Sequence, residues 1–307
     1  MNKIAKLLLL FLTLPTIAVF AQKDIVMSQY MHNRYTINSA FAGNREAISL
    51  FGSYRQKWVG FNGAPSEQYL SGHAPLRNKN IALGIDIYNQ QYGVTRQTGA
   101  SFSYTYRVLV KKNQRLSFGL NAGFVNYNSN WTSVKTLPEF GHDSNFSSNE
   151  SAGTPTVGLG IAWYSNQFFI GLSAPNFMYF DIGKNKSEGF APGKSNYIFT
   201  GGYSFKLSEK FDIQPSILAR YNPQEKPIVD LNCTTIFNNI IWLGASVRNN
   251  LDIVGLVGYQ VTPQMRFAYS YDYSAGDYIK SYNSGTHEIS IQFDFGYKIS
   301  TPNPKFF

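Results

Sequence analysis

The chain has 307 residues, of which 43% are hydrophobic, 16% aromatic and only 15% charged, with a formal charge of +9. Soluble domains usually carry about 25% charged residues, so 21 Tyr and 24 Phe on so lightly charged a chain fit a protein with an apolar outer face. The single cysteine, Cys233, excludes an internal disulfide framework, and the diffuse positive charge fits lipid phosphates or acidic partners rather than nucleic acid.

Residues 1–21 combine a basic start (Lys3, Lys6), an apolar run from Leu7 to Phe20 and a small-x-small ending at Val19-Phe20-Ala21. This is the pattern of a secretory signal peptide, and cleavage predicts a mature chain starting at Gln22. The run is shorter than the ~20 apolar residues that span a bilayer as a helix. No later stretch is long and apolar enough for such a helix, and mean hydropathy is −0.22. A membrane barrel accommodates that value, because its polar lumen face dilutes the hydrophobic signal.

After the leader comes a block of unusual density: Ser28-Gln29-Tyr30, Asn38-Ser39-Ala40-Phe41-Ala42-Gly43, Tyr54-Arg55-Gln56-Lys57-Trp58-Val59-Gly60, Gly63-Ala64-Pro65 and His73-Ala74-Pro75-Leu76. It resembles the start of the PorP/SprF-like outer-membrane proteins of Bacteroidetes, with Ser39 where that family usually has proline. The signature residues are Gln29, Tyr30, Asn38, Ala42, Gly43, Arg55, Trp58, Gly60, Pro65 and Pro75. The resemblance implies service in type IX secretion, gliding and surface anchoring, with the same residues as possible partner contacts. It also implies partners on both sides of the outer membrane. Outside would be an exported surface protein or adhesin with a type IX C-terminal domain, and in the periplasm secretion or peptidoglycan-binding proteins.

Residues 22–44 show no strand period and are expected to form a periplasmic lead-in or a lumen plug. From residue 45 to 307 alternation of period two recurs, as a sheet with one face to lipid and one to a polar interior requires. Phe102, Tyr104, Tyr106 and Val108 oppose Ser103, Thr105 and Arg107; Leu116, Phe118, Leu120, Ala122 and Phe124 oppose Ser117, Gly119, Asn121 and Gly123. Late in the chain, Met265, Phe267, Tyr269, Tyr271 and Tyr273 oppose Arg266, Ala268, Ser270 and Asp272, while Ile289, Ile291, Phe293, Phe295 and Tyr297 oppose Ser290, Gln292, Asp294 and Gly296.

Cutting at Gly, Asn, Pro and Lys clusters predicts an all-β, transmembrane antiparallel up-and-down β-barrel of about 14 strands. Their starts fall near 45, 67, 80, 98, 114, 155, 167, 197, 211, 227, 240, 251, 264 and 285. With a periplasmic N-terminus, connections such as Lys111-Lys112-Asn113 and Asn238-Asn239 fall inside, and the long ones near 128–154, 176–196 and 274–284 fall outside. The expected location is therefore the outer membrane, multi-pass, with outer-membrane lipid around it.

The inward face collects Arg55, Lys57, Arg107, Arg220, Arg248 and Arg266 with Asp86, Asp212, Asp230, Asp272, Glu288 and Asp294. Facing lipid, Arg or Lys would cost about 2–4 kcal/mol each at the midplane. Near-balanced charges in a narrow lumen pair, so a closing charge network is predicted, above all among Arg107, Arg220, Arg248, Arg266, Asp86, Asp230, Asp272 and Asp294. Trp58 shares a face with Ile48, Leu50 and Tyr54 and is expected as an interfacial anchor on the lipid side of strand one, ahead of an outward turn over Gly60 to Pro65.

Enzymatic motifs do not emerge. His32, His73, His142 and His287 are far apart, and no nucleophile elbow, phosphate loop or metal-ligand spacing appears, so neither a cofactor nor a metal is expected. Two functions remain: a non-enzymatic barrel that binds or anchors exported surface proteins and links to periplasmic components, or a small porin or specific channel.

Overall fold

The computed structural model describes residues 27–134, 146–179, 195–223, 225–249, 251–274 and 284–296. The predicted leader, Tyr297, His142 and parts of the long connections lie outside the described residues. Strands are β1 (Ile48–Gln56), β2 (Ser66–Pro75), β3 (Ile81–Tyr92), β4 (Thr95–Lys111), β5 (Gln114–Ser129), β6 (Glu150–Ser165), β7 (Phe168–Tyr179) and β8 (Tyr197–Tyr203) with its short continuation β9 (Phe205–Lys206). They continue as β10 (Phe211–Tyr221), β11 (Ile228–Phe237), β12 (Ile241–Arg248), β13 (Asp252–Gln260), β14 (Met265–Ser274) and β15 (Thr286–Phe295).

Each strand pairs antiparallel with its sequence neighbours, and β15 returns to pair with β1 from Ile48↔Phe295 to Gln56↔His287. Because β8 and β9 flank Ser204 along one wall position and both pair with β10, the closed barrel has 14 strands. Closure removes every sheet edge, so no row of N–H and C=O groups is left for lipid, where it could not be hydrogen-bonded.

Alternation explains the two faces. Leu70, Phe102, Phe118, Leu172, Leu231, Val247 and Ile289 are exposed on the outside, and their neighbours Ser71, Ser103, Ser117, Ser173, Asn232, Ser246 and Ser290 are buried within. Two details depart from expectation. β6 begins at Glu150 rather than near 155, because its first residues pair with β5 alone and lack a β7 partner before Thr156; Pro155, which cannot donate to a second ladder, is tolerated on such a one-sided stretch. β1 ends at Gln56, and Trp58 has φ 46°, so Trp58 stands half-buried in the following turn and not on the lipid face of the strand.

The ends of the barrel differ. At one end every connection is short, spanning 76–80, 112–113, 166–167, 207–210, 238–240 and 261–264; the other has the short connections 93–94, 222–227 and 249–251 but also the long ones 57–65, 130–149, 180–196 and 275–285. Strands β4, β5 and β6 are the longest and raise one wall on the long-loop side.

Candidate functional site: a plug and its seat

Residues 27–46 fold inside the barrel. Two one-turn 3-10 helices, Arg34–Thr36 and Ser39–Phe41, organise the segment. Each is capped by an asparagine whose side-chain oxygen accepts from the backbone N–H two residues on, Asn33 from Tyr35 at 3.2 Å and Asn38 from Ala40 at 2.9 Å. Asparagine suits this position because its short amide replaces the donor's missing helical partner.

The plug is tied to strands all around the lumen. Ser28 N–H donates to Glu288 at 2.8 Å, Ser28 Oγ to Asp272 at 2.5 Å, and Gln29 Nε2 to the Glu288 carbonyl at 2.9 Å. Tyr35 Oη bonds Ser103 at 2.9 Å, and Asn38 Nδ2 donates to the carbonyls of Ile161 and Leu172 at 3.1 and 3.2 Å. Thr105, Ser117 and Ser173 donate to the plug carbonyls of Ser39, Ala40 and Ile37 at 2.6–2.8 Å. The small hydroxyl residues of the inner face thus satisfy backbone groups that the irregular segment cannot satisfy itself.

Four apolar contacts complete the seat. Phe41 packs on Ala162, Tyr164 and Phe169, and Tyr30 and Ile37 on Ile198 and Leu218; Met27 meets Phe51 and Tyr69, while Tyr35 and Ala42 meet Ala82. Gly119 and Gly160 permit the closest approach: a Cβ at 119 would lie 2.4 Å from the Ala40 nitrogen, and one at 160 would lie 2.1 Å from Asn38 Oδ1.

Charges gather at both ends. Toward the long loops, Arg55 pairs with Asp272 at 2.8 Å and Glu288 at 3.3 Å, and Arg248 with Asp230 at 2.8 Å and Asp272 at 3.2 Å; Arg248 also donates to Ser28 Oγ at 2.7 Å. Toward the short turns, Arg45 pairs with Asp294 at 2.9 Å, and Glu46 with Arg107 at 3.0 Å and Arg115 at 3.4 Å. Lys57 pairs with Glu67 at 2.7 Å and Arg220 with Glu225 at 3.4 Å.

The eight residues predicted as one charge network are therefore all inward but fall into separate groups. Arg248, Asp230 and Asp272 meet. Arg107, Asp294 and Arg220 each find other partners; Arg266 lies over the Trp242 ring, 4.3 Å from its centroid, and donates to Gln260. Among the described residues Asp86 accepts only from Ser101 and Tyr35. Buried His32, close to Arg34, Arg45 and Arg266, has its pKa held well below the ordinary 6.5, chiefly by burial and then by those guanidinium groups.

Of the signature residues, Gln29, Tyr30, Asn38, Ala42 and Gly43 are buried in the plug, and Arg55 and Pro75 belong to its surroundings. Gly43 donates to His73 Nδ1 at 3.1 Å and packs on Pro75. Trp58, Gly60 and Pro65 lie apart in the 57–65 connection. Arg45 and Glu46 escaped the sequence reading because it placed them at the start of strand one, whereas β1 begins at Ile48 and both residues belong to the plug. The seat residues Phe51, Phe169, Ile198 and Leu218 were readable as apolar exceptions on an otherwise polar inner face.

Comparison with known proteins follows from this geometry. A family model, "Type IX secretion system membrane protein PorP/SprF", matches residues 19–293. No curated protein sequence matches the chain. Among solved structures, the CymD monoaromatic hydrocarbon channel is similar with TM-score 0.50 and 13% identity over 89% of this chain and 94% of that one. Omp33 of Acinetobacter baumannii gives 0.47 and 9% over 81% and 98%, and outer membrane phospholipase A of Escherichia coli gives 0.36 and 10% over 84% and 98%. At such identities the likeness to CymD speaks for the barrel fold alone.

Proposed function

The chain belongs to the PorP/SprF family of type IX secretion system membrane proteins, an outer-membrane barrel family, and from that premise we propose that it is a closed, non-enzymatic anchor. On this reading it holds an exported surface protein carrying a type IX C-terminal domain on its long-loop side. On its short-turn side it connects to periplasmic secretion or peptidoglycan-binding proteins. The single observation that carries the reading is the plug: residues 27–46 occupy the lumen that a porin would leave to solute. A scaffold needs a rigid wall and a shaped outer end, and the plug provides internal bracing for both.

The test has two arms. The purified protein in planar bilayers is expected to remain silent; steady open pores would favour the channel reading instead. Co-purification from surface-labelled cells is expected to bring down an exported protein, and its absence would sink the anchoring role. Surface proteolysis fixes the direction: cleavage is expected within 130–149 on intact cells, whereas cleavage at Lys111 or Lys112 would invert the assignment.

A further inference from the structure

Asp86 differs from six other acids that line the lumen. Asp230, Asp272, Glu288, Asp294, Glu46 and Glu67 each have an Arg or Lys within 4 Å. Among the described residues Asp86 has only hydroxyls, Ser101 Oγ at 2.5 Å and Tyr35 Oη at 3.5 Å, and both bond its Oδ2. Oδ1 has no hydrogen bond among the described residues. Asp86 is only partly buried, so Oδ1 is left open to an incoming donor, and a cation brought to it would supply the counter-charge that those six acids already have.

The acid lines a cavity of about 90 Å³ between the plug and the tall wall, enough for on the order of six waters. Tyr35, Tyr69 and Tyr88 line it too, and Asp86 is the only charged residue among the described residues of its walls. Register places Tyr69 and Tyr88 side by side, one inward row beyond the row of Ser71, Asp86 and Ser101 and nearer the long loops. Phenol rings offer their negative faces to cations, and a free carboxylate oxygen below them supplies the matching charge and acceptor. Gln97, Asn121 and Thr156 add neutral polar groups.

We propose that this cavity binds an ammonium or guanidinium group, carried on a lysine or arginine side chain of the exported protein. The source of the cation rests on the anchoring reading; the site itself does not. Such a side chain completes the missing ion pair at Asp86 and threads its apolar stem past the tyrosines.

The experiment uses the full chain in detergent and a fluorescent, N-acetylated pentapeptide amide, Gly-Ser-Lys-Ser-Gly, beside the same peptide with norleucine for lysine. The lysine peptide is expected to bind on the order of tenfold more tightly, the effect of one charged hydrogen bond. Asp86→Asn, checked for a heat-modifiable folded band, is expected to erase the difference. Equal binding of the two wild-type peptides would overturn the site, and that comparison decides even if Asp86→Asn fails to fold. Retained preference in folded Asp86→Asn would overturn it as well. Competition by n-butylamine as strong as by the lysine peptide would keep the cation site and overturn the peptide source. If lysine preference holds while no exported protein co-purifies from cells, the anchoring reading fails and the site stands.

Discussion

The two ends of the plug are held by opposite arrangements of charge. Toward the long loops the ions belong to the strands, Arg55 and Arg248 to Asp230, Asp272 and Glu288, and the plug adds only the Ser28 hydroxyl and two backbone N–H groups. Toward the short turns the plug itself brings the ions, Arg45 to Asp294 and Glu46 to Arg107. Withdrawing the plug would leave the first cluster paired and the second broken. The difference teaches that the short-turn end fixes the segment, while the long-loop end has its own closure and merely receives it.

The sharpest way to break the comparison is to remove the plug's own charges. Arg45→Ala or Glu46→Ala leaves a buried partner uncompensated and is expected to cost about 3–5 kcal/mol each, read as loss of the heat-modifiable band at a lower temperature. Little change would mean that the short-turn end is not the fixed one. Phe41→Ala, which empties the pocket of Ala162, Tyr164 and Phe169, is expected to cost about 3 kcal/mol by denaturant titration. Ser28→Ala removes one hydroxyl from an end that stays paired, so a loss of only about 1 kcal/mol is expected. A loss as large as that of Arg45→Ala would erase the asymmetry.

Acid provides the gentlest probe. His32 is buried neutral, with its folded pKa held below 6.5, so its contribution is complete above pH 6.5. As pH falls below 6.5 the unfolded chain takes up a proton that the folded chain does not. Stability then drops by up to about 1.4 kcal/mol per pH unit until the depressed folded value is reached. His32→Gln is expected to remove its share of that slope, up to about 1.4 kcal/mol per pH unit, between pH 6.5 and 5; an unchanged slope would assign the acid sensitivity to other groups.

The wall was legible because its rule is local. Ser103, Thr105 and Arg107 against Phe102, Tyr104 and Tyr106 state their faces within a few residues, and all 12 charges assigned inward lie there with Asp86 alone only partly buried. The break at Ser204 and the early start of β6 depend on which neighbour each strand has, and alternation carries no such information. Plug geometry was legible only as an absence of period over 22–44. Its contacts join residues up to 261 positions apart, and nothing near Gln29 announces Ser290. The partners of Arg45 and Glu46, and the isolation of Asp86, are likewise products of closure.

That closure sets an order of assembly. Residues 27–46 are synthesised before any strand, yet Ser28 and Gln29 depend on Glu288 and Ser290 of β15, the strand that seals against β1. If the last strand closes around a segment already in place, the bonds that Glu288 accepts and Ser290 donates are gained on closure, and a barrel that closes empty forfeits them. Contacts of such long sequence separation form slowly, so biogenesis of this protein is expected to be limited by the meeting of its two termini rather than by the strands between them.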